Sequence, residues 1–226
     1  MNTVSNWFQR LLRSSFQFLL RVLAGQSKDK TCLEVERKFR LTDQEAERLP
    51  DELARRGFAA ADAVDMTDTF LPVQQEGDMA RLRVEKHKGT TRILLTLKSW
   101  VKTPDGGKER QETENQVGRL ATVFLMLVGR KIKGADLLSF SKHRRHFTGT
   151  LDGRQAVVSI DRVQGLGEYS GLYLEVEILV PLGEDVNPAR RQIATLVAGL
   201  LGEEREMVKL SYMEMLKLVS AKAPIS

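Results

Sequence analysis

Leu33-Glu34-Val35-Glu36-Arg37-Lys38-Phe39 alternates apolar and charged side chains from its first residue. Successive side chains of an extended strand point to opposite faces, so residues two apart share a face. Read as a strand, the stretch gathers Glu34, Glu36 and Lys38 on one side and sets Leu33 and Val35 on the other. One such strand has an ordinary explanation, because half-buried strands turn a polar face to water. The pattern returns, however, in Arg81-Leu82-Arg83-Val84, Leu95-Thr96-Leu97-Lys98, Glu112-Thr113-Glu114 and Lys142-His143-Arg144. It returns again in Val158-Ser159-Ile160-Asp161 and Leu174-Glu175-Val176-Glu177-Ile178. Apolar faces packed outward against helices would turn all these charged faces inward, and closing the sheet would give a barrel lined with charge.

The lining has both signs. Glu34, Glu36, Glu112, Glu114, Asp161, Glu175 and Glu177 supply carboxylates; Lys38, Arg81, Arg83, Lys98, Lys142 and Arg144 supply cations. Clustered carboxylates repel one another and are costly to enclose without cations, and hard oxygen ligands of this kind suit Mg²⁺ or Mn²⁺. Clustered Lys and Arg call for a polyanion, and the arginine fork fits phosphate oxygens. A metal-bound polyphosphate satisfies both halves. The sequence has no GxxxxGK[ST] loop, so phosphate recognition rests on side chains. Cys32 has no histidine partner that would mark a nucleophile, and His87, His143 and His146 lack metal-binding spacing; surface or wall positions are expected for them.

Composition sets the frame. With 226 residues, 42% hydrophobic and 29% charged, the chain can bury a core, either as one large domain or as a domain with an appendage. A net charge of +5, from 35 basic and 30 acidic residues, favours anionic partners without marking a nucleic-acid coat, so no nucleic-acid partner is expected. A single cysteine excludes an internal disulfide and fits a reducing, cytoplasmic setting. No stretch approaches the apolar length of a membrane-spanning helix.

Residues 1–30 differ from the rest. Val4, Trp7, Phe8, Leu11, Leu12, Phe18, Leu19, Val22 and Leu23 recur at helical spacing, Arg10, Arg13 and Arg21 interrupt them, and no acidic residue precedes Asp29. This describes a basic amphipathic helix followed by a polar linker, Gly25 to Lys30. Two readings stay open: a segment, residues 4–23, at a membrane surface or acting as a targeting peptide, or a helix docked on its own domain or on a second copy, which admits a dimer. Arg13 and Ser14-Ser15 interrupt any secretory apolar core, so a cleaved export signal is not expected.

Further helices follow from local signals. Thr42 and Glu45 predict a capping box opening a helix toward Gly57, with a break at Pro50. Asn115 to Val128 reads as a second helix ended by Gly129, and Asn187-Pro188 opens a third that reaches Leu201 before Gly202. Residues 206–219 predict a last helix whose apolar side is Met207, Leu210, Met213 or Met215, and Leu218. Pro104-Asp105-Gly106-Gly107 and Asp152-Gly153 mark turns between strands.

In order along the chain, Glu34-x-Glu36-x-Lys38, Arg81-x-Arg83, Lys98, Glu112-x-Glu114, Lys142-x-Arg144, Asp161 ahead of Gly165-Leu166-Gly167, and Glu175-x-Glu177 resemble the CYTH superfamily, the triphosphate tunnel metalloenzymes. Ser211-Tyr212 is similar to that family's closing helix, and the resemblance covers residues 31–219, leaving 1–30 as leader and 220–226 as tail. It implies an α+β fold, an eight-stranded antiparallel β-barrel forming a charged tunnel with helices packed outside. It also implies that Glu34, Glu36, Glu175 and Glu177 hold the metals, with Asp161 and Glu112 or Glu114 completing their shell or positioning water. Arg81, Arg83, Lys98, Lys142 and Arg144 would grip phosphates, and Lys38 would touch the scissile phosphate or assist proton transfer, so Lys38, Glu36, Glu112 and Glu114 are the expected catalytic set.

Members of this superfamily include inorganic triphosphatases, thiamine triphosphatases and class IV adenylate cyclases. The expected activity is metal-dependent hydrolysis of a small triphosphate, first of all inorganic triphosphate; the alternatives are a cyclase making cyclic AMP, a thiamine triphosphatase, and a non-catalytic polyphosphate or nucleotide binder. The sequence departs from the family in three ways. Asp68-Thr69-Phe70 stands where many relatives carry a tyrosine, Glu168 to Tyr173 lengthens one turn, and the His-Phe pair of cyclase-type members is missing before Glu34.

Overall fold

The computed structural model describes residues 2–24, 32–73, 78–103 and 105–222, with side chains of the first helix described from Leu12 onward. Residues 25–31, among them the predicted linker, Pro104 of the predicted turn, and 223–226 of the tail lie outside the described residues, as do the side chains of Val4, Trp7, Phe8 and Leu11.

The charged alternation marks strands wherever it occurs. In chain order the elements are α1 Asn2–Ala24, β1 Cys32–Leu41, α2 Asp43–Arg55, β2 Ala59–Ala60, β3 Val64–Leu71, β4 Met79–His87, β5 Thr90–Lys102 and β6 Lys108–Gln116. They continue with α3 Arg119–Lys133, β7 Ser139–Leu151, β8 Arg154–Gln164, β9 Gly171–Pro181, α4 Asn187–Leu201 and α5 Tyr212–Lys222. All strand pairs are antiparallel, in the order β7-β3-β4-β5-β6-β1-β9-β8, and a β7–β8 pairing closes the circle at eight strands. The short β2 adds to the far end of β7. The predicted α+β barrel is therefore the observed fold.

Its apolar faces point outward, each against helices. Leu33, Val35, Val158, Val176 and Ile178 meet Leu49 and Leu53 of α2 and Ile193 and Val197 of α4. On the opposite side Ala80, Leu82 and Leu95 meet Phe16, Leu20 and Ala24 of α1 and Leu125 and Ile132 of α3. Burying one such side chain is worth about 1.5–3 kcal/mol, which holds the described part of α1 against its own barrel. No helix among the described residues is long and apolar enough to cross a membrane.

Local signals were partly overridden by packing. Thr42 and Glu45 form the predicted capping box, but Pro50 does not break α2, because Leu49 and Leu53, both fully buried, hold the helix across it. Asn115 and Gln116 belong to β6, where they pair with Leu95 and Leu94, so α3 begins only at Arg119. It ends at Gly134, which takes a left-handed φ of 70°, and not at Gly129. Gly129 lies inside the helix, where a Cβ would stand 3.3 Å from Pro72 Cδ; its role is close packing, not termination. The helix from Asn187 to Leu201 is as predicted.

The last segment departs most. Residues 206–211 are not helical: Met207 bridges Phe39 of β1, and the Val208 amide donates to the Lys38 carbonyl at 2.8 Å. The helix starts at Tyr212, where the Ser211 hydroxyl accepts from the Glu214 amide and the Glu214 carboxylate accepts from the Ser211 amide. Its buried side is Tyr212, Met215 and Leu216, while Met207 and Leu218 are exposed.

Candidate active site

Because the apolar faces look outward, the charged faces share the barrel interior. They line a cavity of about 340 Å³ that adjoins a second one of about 310 Å³; both are bounded by Glu34, Glu36, Lys38, Arg110 and Ser211, so the interior is a tunnel. Of the residues predicted for the site, Glu34, Glu36, Lys38, Arg81, Arg83, Lys98, Glu112, Glu114, Lys142, Arg144, Glu175 and Glu177 all line it.

Strand order sorts these residues by charge. On the β6–β1–β9 side stand Glu112 and Glu114, then Glu34 and Glu36, then Glu175 and Glu177. On the β7–β3–β4 side stand Lys142 and Arg144, then Asp68, then Arg81 and Arg83. Glu36 and Glu177 are direct cross-strand neighbours, a like-charge pairing that costs stability unless a cation lies between. Lys38 faces Glu175 across the same pair of strands, with Nζ 3.2 Å from its carboxylate, and also lies 3.7 Å over the Tyr212 ring. From β5, Lys98 Nζ reaches Glu34 at 2.7 Å and Glu112 at 2.5 Å.

The CYTH domain signature matches residues 33–212, the whole stretch that builds these two walls. The chain belongs to the CYTH domain family. Among solved structures of similar fold, PH1819 protein of Pyrococcus horikoshii OT3 is 21% identical, with a TM-score of 0.57 over 84% of this chain and 99% of that one. A candidate adenylate cyclase of Vibrio parahaemolyticus is 17% identical, with a TM-score of 0.55 over 82% of this chain and 98% of that one. HpAC1 of Hippeastrum, a candidate adenylyl cyclase described as having a dominant triphosphatase activity, is 13% identical, with a TM-score of 0.52 over 85% of this chain and 97% of that one. Curated protein sequences contain no significant match.

Electrostatics separates the two walls of this CYTH tunnel. Burial, with Glu36, Glu177 and Glu112 nearby, pushes the Glu34 carboxyl well above the usual range despite Lys98. Burial together with Glu36 and Glu112 raises Glu177 to about 7. Glu112 goes the other way, to about 2, because Lys98 and Arg81 outweigh its burial. Lys98 is thus shared unequally: with Arg81 it pulls Glu112 down, while burial and the neighbouring carboxylates keep Glu34 raised. Crowded hard oxygens that favour protonation are the donor set a divalent cation would relieve. No three of them stand at ligand spacing among the described residues, and Lys98 Nζ lies between Glu34 and Glu112 instead.

On the opposite wall the cations have internal counter-ions. Asp68, fully buried, accepts from Arg83 Nε at 2.7 Å and Nη2 at 2.9 Å, and from Arg81 Nη1 at 3.4 Å. Although buried, it is held well below the usual carboxylate range by Arg81 and Arg83. Asp161 was expected beside the metals. It is wholly enclosed behind the lining, where its carboxylate accepts from Lys142 at 3.0 Å, from Arg144 and from the Tyr212 hydroxyl at 3.1 Å. Arg144 also bridges to Glu175. Burial and Arg144 bring Lys142 down to about 8 and His146 down to about 4, so His146 is a neutral wall residue. Arg81 Nε is buried with no hydrogen-bond partner among the described residues, a donor left over for an anion in the cavity.

Sequence reading missed Asp68, Glu85 and Arg110 as lining residues. Alternation across Met66-Thr67-Asp68-Thr69-Phe70 was the signal for Asp68, whose parity puts it opposite Arg83. Ser211-x-x-Glu214 was the signal that Tyr212 opens a helix at the cavity.

Proposed function

We propose that this tunnel is the active site of a divalent-metal-dependent triphosphatase, with inorganic triphosphate as its first substrate. The observation that supports it is the facing of a carboxylate wall by a lysine and arginine wall across one cavity. Phosphoryl transfer needs alignment and charge neutralisation more than covalent chemistry, and these walls supply both.

Arg81, Arg83, Lys142 and Arg144 bind the phosphate oxygens. Asp68 and Asp161 act as positioning residues that fix the Arg83 and Arg144 forks, so little is left to reorganise on binding. Glu34, Glu36 and Glu177 are the residues that would hold a Mg²⁺ or Mn²⁺ ion, with Glu175 diverted to Lys38 and Arg144. Such an ion supplies neutralisation of phosphate oxygens and a more acidic bound water. Lys38, placed between Glu175 and Tyr212, donates to the scissile phosphate. Glu112 and Glu114 lie beside this cluster, Glu114 accepting from the Thr96 hydroxyl at 2.7 Å, and orient the attacking water. HpAC1, with the same fold and a dominant triphosphatase activity, is in keeping with hydrolysis.

The test is phosphate release from inorganic triphosphate, ATP and thiamine triphosphate with Mg²⁺ or Mn²⁺, comparing wild type with Glu36→Gln and Arg83→Ala. Release from inorganic triphosphate by the wild type, lost in both variants, is expected. No release from any of the three overturns the proposal, and cyclic AMP with pyrophosphate from ATP replaces it with a cyclase.

A further inference from the structure

Large apolar side chains left in solvent are concentrated on one side of the molecule. Phe18 and Val22 of α1, and Leu120, Val123, Phe124 and Leu127 of α3, are each more than half exposed. Their spacings, four apart on α1 and three, four and seven apart on α3, put each set on one helical face. The two helices lie side by side and antiparallel. Asn115, just before α3, donates to the Leu23 carbonyl at 3.2 Å, while Arg13 and Phe16 share a cavity of about 620 Å³ with Ile132 and Lys133. Their inner faces meet in one core through Phe16, Leu20, Leu125 and Ile132, so the exposed stripes form the outer surface of the same wall.

The charge carried by the two helices themselves has one sign. Neither α1 nor α3 contains an acidic residue, and Arg13, Arg21, Arg119, Arg130, Lys131 and Lys133 are all exposed around the apolar stripes. Among the described residues, the acidic groups facing them from neighbouring elements are Asp136, 3.4 Å from Arg130, and Asp78 near Arg21. A contiguous apolar patch of this kind marks an interaction site. A second copy docked by the same face would set cations against cations, because a two-fold interface pairs like with like. An anionic lipid surface meets both features, taking the apolar side chains into the headgroup boundary and the cations onto lipid phosphates. We propose that the α1–α3 face is a peripheral attachment site for anionic membranes, independent of the tunnel chemistry.

The test is co-sedimentation of the full chain with phosphatidylcholine vesicles and with mixed phosphatidylcholine–phosphatidylserine vesicles, beside the double variant Phe124→Asp/Leu127→Asp. Both side chains are exposed, and matching thermal melts and phosphate release check that the variant folds. Wild type is expected to pellet with the mixed vesicles only, and the double variant to lose about tenfold or more of that binding. Arg119→Glu/Lys131→Glu should also release the protein, and Leu182→Asp, on the turn after β9, should not. Wild type remaining in the supernatant, or the α3 double variant binding undiminished, overturns the proposal. So does a wild-type dimer that Phe124→Asp/Leu127→Asp makes monomeric without any vesicle binding, since the face would then join two copies.

Discussion

On the β7–β3–β4 side of the tunnel, Asp68 grips Arg83 with two hydrogen bonds and Asp161 serves Lys142 and Arg144 together. Across the cavity, on β6, β1 and β9, Lys38 pairs with Glu175 and Lys98 with Glu34 and Glu112, and Glu36 stands directly across from Glu177. The basic wall carries its counter-ions inside the fold, where Asp68 and Asp161 fix the Arg83 and Arg144 forks. The acidic wall crowds its carboxylates together, with Glu34 and Glu177 pushed above their ordinary range. Preorganised donors can wait for a phosphate at little further cost, whereas crowded carboxylates gain most when a cation arrives.

The sharpest way to break this comparison is to disable the acidic wall. Glu36→Gln removes a carboxylate that only a bound cation would use, so turnover should fall about 10³-fold while folding stability stays near wild type, read by phosphate release and by urea unfolding. Arg83→Ala should lose turnover as well, but it should also destabilise the fold. It leaves the buried Asp68 carboxylate with only the longer Arg81 contact, at a cost of about 3–5 kcal/mol in urea unfolding. Arg83→Met/Asp68→Leu, which removes both charges, should recover most of that loss. Equal destabilisation by single and double variants would mean that the pair is not a unit.

Metal addition comes next in size. Mg²⁺ or Mn²⁺ at a hundredfold excess over its Kd should stabilise metal-free protein by about 2.7 kcal/mol in thermal melts. Glu177→Gln should abolish the shift, and Lys142→Arg should keep it. The smallest effect concerns pH on the basic wall. Lys142 is held at about 8 in the folded protein against an ordinary 10.5. Between these values the unfolded chain binds the extra proton, so Lys142 makes stability rise with pH across that interval. Triphosphate affinity should fall across it by about tenfold or less as the ammonium is lost, and Lys142→Arg should flatten that profile.

Period-two alternation made the barrel and twelve of its lining residues readable, since parity alone decides which side chains share a cavity. Asp68 escaped because β3 inverts the rule. Its outward residues Asp65 and Thr67 are polar and exposed, while Met66 and Phe70 share the inward face with Asp68. Asp161 had the right parity, but parity does not tell which partner consumes a carboxylate, and that partner set includes Tyr212 from a distant helix. Residues 206–211 have helical periodicity and are nonetheless extended, because their backbone pairs with β1, a contact that no local window contains. Pro50 and Gly129 failed as stop signals for a similar reason, tertiary packing outweighing local preference.

One pairing bears on how the molecule comes into being. Leu33 at the start of β1 is registered with Val180 at the end of β9. A chain emerging from its N-terminus first can form the β3–β4–β5–β6 meander early, from neighbours. Glu34 and Glu36 meet Glu175 and Glu177 only after nearly all the strands between them have been made. The repulsion between Glu36 and Glu177 therefore arises only once β9 docks on β1.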